Sequence, residues 1–236
     1  MKKLVLTTIC TLAVAGAAFA QGTVNWGAAN PSGFTAQTNA QTYSPLFGGG
    51  STGGGTIGLT ATPALGFYYE LLYTTYSGTQ ATVPSTVSGI ASWGDAGLEM
   101  TNVTSSTGKA SGFPVNTQAT VPWVAGTTDS IVLVGWSVNL GTSWSTVLTE
   151  LQQWTTGANY SQSIVGPAYF GISATGFETV GSSNPGATII AGTLNPQGKP
   201  ITSVNTQLYL LPVPEPTTIA LATLGGASLL LFRRRK

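Results

Sequence analysis

Histidine is absent from the 236 residues, and cysteine occurs once, at Cys10. Those two absences remove the commonest general base, the commonest soft metal ligands and any Ser-His or Cys-His nucleophile pair. Charge is scarce as well. Between Gln21 and Val213 two basic residues, Lys109 and Lys199, stand against six acidic ones, Glu70, Asp95, Glu99, Asp129, Glu150 and Glu178, a net of −4. A chain so poor in Lys and Arg has no electrostatic footprint for nucleic acid. Its polarity comes from Thr, Ser, Asn and Gln, and its low net charge and ordinary apolar content are not those of a disordered chain.

What the sequence does have in concentrated form lies at its two ends. Lys2 and Lys3 precede an apolar run from Leu4 to about Ala17, and Ala18-Phe19-Ala20 has the small-x-small form that signal peptidase accepts. Residues 1–20 therefore read as a signal peptide, cut between Ala20 and Gln21. Cys10 falls inside this leader, without the small-residue context of a lipoprotein cleavage site. The mature chain is then free of cysteine, and the 193 residues from Gln21 to Val213 must be stabilised by a core without disulfides.

The other end, residues 213–236, has three parts in fixed order: Pro214, Glu215 and Pro216, an apolar run from Thr217 to Phe232, and the basic cluster Arg233, Arg234, Arg235 and Lys236. The prolines bar helix propagation into the body, while Pro216 suits a first helical position. The 16 apolar residues make a transmembrane helix of roughly 24 Å, short for a hydrocarbon core about 30 Å thick, a gap that snorkelling arginines can close. Lys and Arg beside a span stay cytoplasmic, which leaves everything N-terminal to it outside.

This arrangement resembles the PEP-CTERM sorting signal of exported proteins in exopolysaccharide-producing Gram-negative bacteria. The resemblance implies an exosortase as partner, a membrane-embedded cysteine protease or transpeptidase that cuts near Pro-Glu-Pro. On that basis Pro214, Glu215 and Pro216 are the recognition element, Arg233 to Lys236 the membrane stop, and the inner membrane a transient host. A plain tail anchor is the rival reading. From the Trp136 strand onward the chain also resembles a body type that carries this tag in verrucomicrobial and related bacteria, with a tryptophan-containing strand, a short helix and Gly-aromatic strands leading into Pro-Glu-Pro.

Between the ends, period-two alternation predicts strands. Gly22 to Trp26 reads as an edge strand, and Asn30 to Gly55, ending in GGGSTGGG, as a flexible excursion. No Gly-Lys-Ser/Thr follows those glycines, so a phosphate loop is not indicated. Thr56–Thr62 and Phe67–Thr75 read as a hairpin, the latter with Phe67, Tyr69, Leu71 and Tyr73 on one face. Further strands are expected at Leu98–Val103, Val115–Val121, Ala168–Thr175, Phe177–Val180, Thr188–Ala191 and Val204–Leu211. The clearest is Ser130–Asn139, where Val132, Val134, Trp136 and Val138 share one face while Ile131 and Leu133 make the other apolar, so it should be central and buried on both sides. Then the period changes. Trp144, Val147, Leu148, Leu151 and Trp154 fall at helical spacing, with Ser143 or Ser145 as cap and Gly157 as stop. Many short strands and one short helix mean an all-β body over residues 21–212, a β-sandwich of which a jelly-roll-like arrangement is one form.

Chemistry in this body has few candidates. Lys109 and Lys199 sit in turn-like stretches and read as solvated. Asp95 and Glu99 are the acids closest in sequence, and a carboxylate pair is the remaining route to glycosidic hydrolysis. A calcium site from Asp95, Glu99 or Asp129 is the only metal reading, without a DxDxDG-type loop to support it. No cofactor and no enzymatic activity are expected. Trp93 and Trp123, beside Gly and Pro, are the candidates for stacking on a sugar, whereas Trp136, Trp144 and Trp154 fit core positions. The sequence thus points to an exported cell-surface or matrix protein of structural or adhesive role, with a carbohydrate-binding module for the exopolysaccharide, and then a carboxylate glycosidase, as alternatives. The protein recovered from the producing cell should begin at Gln21. N-terminal sequencing checks this, and Met1 or a lipidated Cys10 in the mature protein would contradict it.

Overall fold

In the stretch Thr128–Ser137, Ile131 and Leu133 alternate with Val132, Val134 and Trp136, and all five side chains are fully buried. A strand apolar on both faces is stable only where both faces are covered. The computed structural model describes residues 21–28, 36–59, 66–102, 117–156, 164–181, 186–190, 198–201 and 206–212. Its elements in chain order are β1 (Gln21–Ala28), β2 (Ala36–Tyr43), β3 (Ile57–Leu59), β4 (Phe67–Thr75), α1 (Val87–Ala91), β5 (Gly94–Thr101), β6 (Thr117–Val124), β7 (Thr128–Ser137), α2 (Trp144–Thr156), β8 (Tyr169–Ile172), β9 (Gly176–Thr179), β10 (Ala187–Ile190) and β11 (Thr206–Leu210).

The strands form two open sheets, one of order β10-β1-β6, the other of order β3-β2-β11-β8-β7-β4-β5 with β9 also on β7. Pairing is antiparallel except for β1 with β10 and β2 with β11. β4 follows β7 along its whole length, from Phe67 opposite Ser137 to Thr75 opposite Asp129. On the other side β9 takes the first half of β7 and β8 the second. Ser173 bridges the gap between them. Its N–H donates to the Leu133 carbonyl (2.8 Å) and its Oγ accepts from Leu133 N–H (2.9 Å).

One face of the large sheet brings Tyr69, Leu71, Ile131, Leu133 and Leu208 into a single cluster with Val24, Val121, Trp123, Ile189 and Ile190 of the small sheet. The opposite face packs Leu72, Val132, Val134, Trp136 and Phe170 against Val87 and Ile90 of α1 and Trp144, Val147, Leu151 and Trp154 of α2. The body is therefore mostly β and sandwich-like, with helices over the outer face of the larger sheet. Each large apolar side chain so buried contributes about 1.5–3 kcal/mol. The helix begins as its sequence suggests. Ser143 carbonyl accepts from Val147 N–H (3.1 Å), and Ser143 Oγ lies 2.9 Å from Thr146 Oγ1.

Several expectations need correction. β1 is the middle strand of its sheet, not an edge, because β10 covers the side that β6 leaves open. The expected flexible excursion contains β2, a nearly all-polar strand held by neighbours on both sides and by Asn39 Nδ2 donating to Gln207 Oε1 (2.6 Å). The glycine run then closes the hairpin from β2 to β3. β3 and β4 do not pair with each other. β3, with Ile57 half exposed, suits the edge beside β2, whereas β4 is apolar on both faces and belongs next to β7. Val138 leaves the strand for a 3-10 turn and is exposed. A second helix, α1, lies in what reads as a Ser/Thr-rich connection; Thr86 Oγ1 caps it by accepting from Gly89 N–H (3.0 Å).

Two glycines let the central strands approach their neighbours. Gly135 and Gly171 face each other across β7 and β8. A Cβ on Gly135 would stand 2.7 Å from the Tyr69 ring, and one on Gly171 would collide with the Gln207 backbone carbonyl. Gly171→Ala should therefore cost about 1–3 kcal/mol in chemical denaturation, as overpacking does. Gly54→Ala, with open space around it, should stay within about 0.5 kcal/mol of the parent. Equal stability of the two variants would contradict the close packing of β8 on β11.

Candidate functional site

The described chain reaches its last residue, Pro212, in a bonded setting. β11 runs between β2 and β8, Leu211 N–H donates to the Ala168 carbonyl (2.8 Å), and Trp154 Nε1 donates to the Pro212 carbonyl (2.6 Å). Trp154 sits near the end of α2 and its ring is buried. An apolar groove of about 440 Å³ opens beside this exit, lined by Trp154, Ile164, Pro167, Ala168, Leu210 and Leu211. Next to it Val165 is 83% exposed, on a loop held by Asn139 Nδ2, which donates to the carbonyls of Val165 (3.3 Å) and Pro167 (3.1 Å).

The expected recognition residues Pro214, Glu215 and Pro216, the apolar run 217–232 and the cluster Arg233 to Lys236 lie outside the described residues, as do Ala18 and Ala20 of the leader. Among the described residues no helix is long and apolar enough to cross a membrane. Gln21, on the far side of the expected cut, opens β1 directly and is exposed.

Of the two tryptophans expected on the surface, Trp123 is in the core. It belongs to β6, is 6% exposed, and its ring lies 4.7 Å from that of Tyr73. The neighbouring Pro122 suggests a loop, yet in the strand Pro122 takes the exposed side and Trp123 the buried one. This withdraws Trp123 as a stacking platform. Trp93 follows α1 and is half-buried against the helix-side cluster.

The acids gather differently from the sequence expectation. Asp95 and Glu99 are both on β5, and across the ladder Glu70 of β4 lies opposite Glu99 while Leu72 lies opposite Asp95. The register slips between these pairs because β5 bulges at Gly97, whose φ is 69°. A bulge re-aims backbone and side chains. Gly97 N–H donates to Asp95 Oδ1 (2.7 Å), and Glu70, only 2% exposed, accepts from Leu98 N–H and shares a hydrogen bond with the Asp95 carboxyl. Burial, reinforced by the Asp95 charge, pushes Glu70 up to about 9. Glu99 is raised by partial desolvation and by the same charge. Glu70 thus carries its proton at neutral pH and donates it to Asp95.

Glu70 was missed because it sits inside the strand FYYELLYTT, where nothing local distinguishes a buried carboxyl from a solvated one. Asp129 is not part of this group. It opposes Glu178 on β9, and burial raises its pKa while Tyr76 N–H lowers it. Asp129 therefore does not join Asp95 and Glu99, and among the described residues no three acids are arranged to hold a metal.

Comparison with known families identifies residues 212–236 as a PEP-CTERM protein-sorting motif. A motif of this kind implies an exported protein with an exosortase as processing partner and a surface or extracellular destination. It covers a small part of the chain and leaves the body unassigned. No curated protein and no solved structure matches the chain.

A carboxyl whose pKa is raised on folding stabilises fully below its unfolded value and progressively less as pH rises through its folded value. For Glu70 that window runs from its ordinary 4.5 to about 9. Thermal melts of the body should show stability falling with pH across this window, and Glu70→Gln should flatten the fall and raise the melting temperature at its alkaline end. An unchanged slope in the variant would contradict the buried, protonated state.

Proposed function

We propose that this chain is a precursor whose β body is delivered across the inner membrane, parted from its C-terminal tag by an exosortase, and left at the cell surface or in the exopolysaccharide matrix in a structural or adhesive role. The observation that carries this is the sorting motif at residues 212–236. Within it Pro214, Glu215 and Pro216 are the recognition element, residues 217–232 hold the triplet at membrane depth, and Arg233, Arg234 and Arg235 with Lys236 keep the far end cytoplasmic. The body's charge-poor composition, rich in Thr, Ser, Asn and Gln, and its lack of cysteine and histidine suit a passive extracellular component.

Two other readings have less support. A carbohydrate-binding module rests on Trp93 alone now that Trp123 is in the core. A glycosidase needs one carboxyl as acid and a second as nucleophile or base across the scissile bond. Here Glu70 is enclosed and spends its proton on Asp95, which favours a structural pair over a catalytic one.

The test is the mass of the C-terminal peptide in a host that has an exosortase. The parent protein should lack the residues beyond the triplet, and Glu215→Ala should accumulate in the inner membrane at larger mass. In a plain tail anchor Glu215 is a spectator and the substitution changes nothing. Intact LLLFRRRK on the mature surface protein would sink the sorting hypothesis.

A further inference from the structure

Little chain separates the described body from the apolar run of the tag. Pro212 is the first residue of the sorting motif and, among the described residues, the last one, bonded to the body through Trp154 Nε1 at 2.6 Å. Five steps of chain separate it from Thr217, where the apolar run begins, and fully extended chain spans at most about 17 Å over that count. The span itself is short. Its roughly 24 Å must serve a hydrocarbon core of about 30 Å, so its flanks are drawn inward toward the headgroups. A headgroup layer adds only about 5–8 Å on each side. The face of the body around Pro212 is therefore held within about 9 Å of the headgroup layer while the tag is in place.

That face has the chemistry such a position demands. The segments that build it, residues 151–156, 164–168 and 210–212, contain no charged residue. Its groove is lined by Ile164, Pro167, Leu210 and Leu211, and Val165 projects beside it as an exposed apolar side chain. Asn139 bonds two carbonyls of the Val165 loop, which holds the projection in place without any charge.

We infer that this apolar face around the exit, Val165 at its tip, docks on the lipid headgroup interface of the membrane in the uncleaved precursor. The inference rests on the reading of the tag as a membrane span. Trp154 is the positioning residue, since its bond to Pro212 fixes which face of the body the short tag pulls down. Once the tag is removed nothing holds the face there, and the apolar contact alone is small enough to be reversible.

The absence of cysteine from the body makes the test direct. The full chain with Cys10→Ser is exported in a host without an exosortase, so that the tag is retained, and reconstituted into vesicles of phosphatidylethanolamine and phosphatidylglycerol containing a nitroxide-headgroup lipid. An environment-sensitive fluorophore is placed on Val165→Cys or on Thr75→Cys. Thr75 is exposed and lies at the end of β4 away from the exit, because Phe67 at the other end opposes Ser137, next to the Trp136–Phe170 pair that β11 meets through Tyr209. Quenching several-fold stronger at Val165 than at Thr75 is the expected result, with the difference narrowed by Trp154→Phe, which keeps the ring and removes the donor.

Equal quenching at both sites in protein that floats with the vesicles would overturn the docking face and leave the tag reading intact. Protein that fails to float would overturn both. Shielding of the Val165 probe in a lipid-free dimer would assign the face to a second copy and overturn the lipid assignment.

Discussion

The body depends on burying both faces of β7, and the consequences of that requirement spread through every layer. Ile131 and Leu133 need the small sheet, and Val132, Val134 and Trp136 need the helices. Strands beside β7 inherit the same demand. β4 meets it with Tyr69 and Leu71 on one side and Leu72 on the other, and Gly135 meets it by giving up a side chain so that the Tyr69 ring can lie across β7. Glu70 is the exception in this otherwise apolar setting. A charged carboxylate there would be expensive, so the group keeps its proton and shares it with Asp95 at the β5 bulge.

α2 joins the core to the exit of the chain. Its first tryptophan packs on Trp136 and Phe170, with ring centroids 6.0 and 6.2 Å away. Its last tryptophan, ten residues on and so about 15 Å along the axis, holds Pro212. One helix thus caps the large sheet and holds the first residue of the sorting motif. The two roles use different chemistry. Trp144 contributes apolar area, whereas Trp154 contributes an indole N–H to a carbonyl that β11 no longer pairs.

How much of this was legible depended on whether a segment carries its own signal. β4 appears at the bounds that period-two alternation predicts, α2 starts at Trp144 as its helical spacing requires, and β7 is central because both its faces are apolar. β2 was illegible. AQTNAQTY has almost nothing to bury, and it is a strand because β3 and β11 offer backbone partners on both sides and Asn39 finds Gln207 across the sheet. α1 was hidden for a related reason, being only 5 residues long with a glycine inside, and held by Thr86 and the burial of Val87 and Ile90.

By itself the sequence determined the sorting tag, the cysteine-free and histidine-free chemistry of the body, and the character of segments whose hydrophobic period is strong. Those are properties of residues close together in the chain, which is why a local pattern suffices. Tertiary structure alone decided that β3 pairs with β2 and not with β4, that Trp123 is inside, that Glu70 meets Asp95 at a bulge, and that Trp154 holds Pro212. Each joins or encloses segments through backbone pairing and desolvation. Those energies depend on which distant surfaces come together, and no single stretch of chain records them.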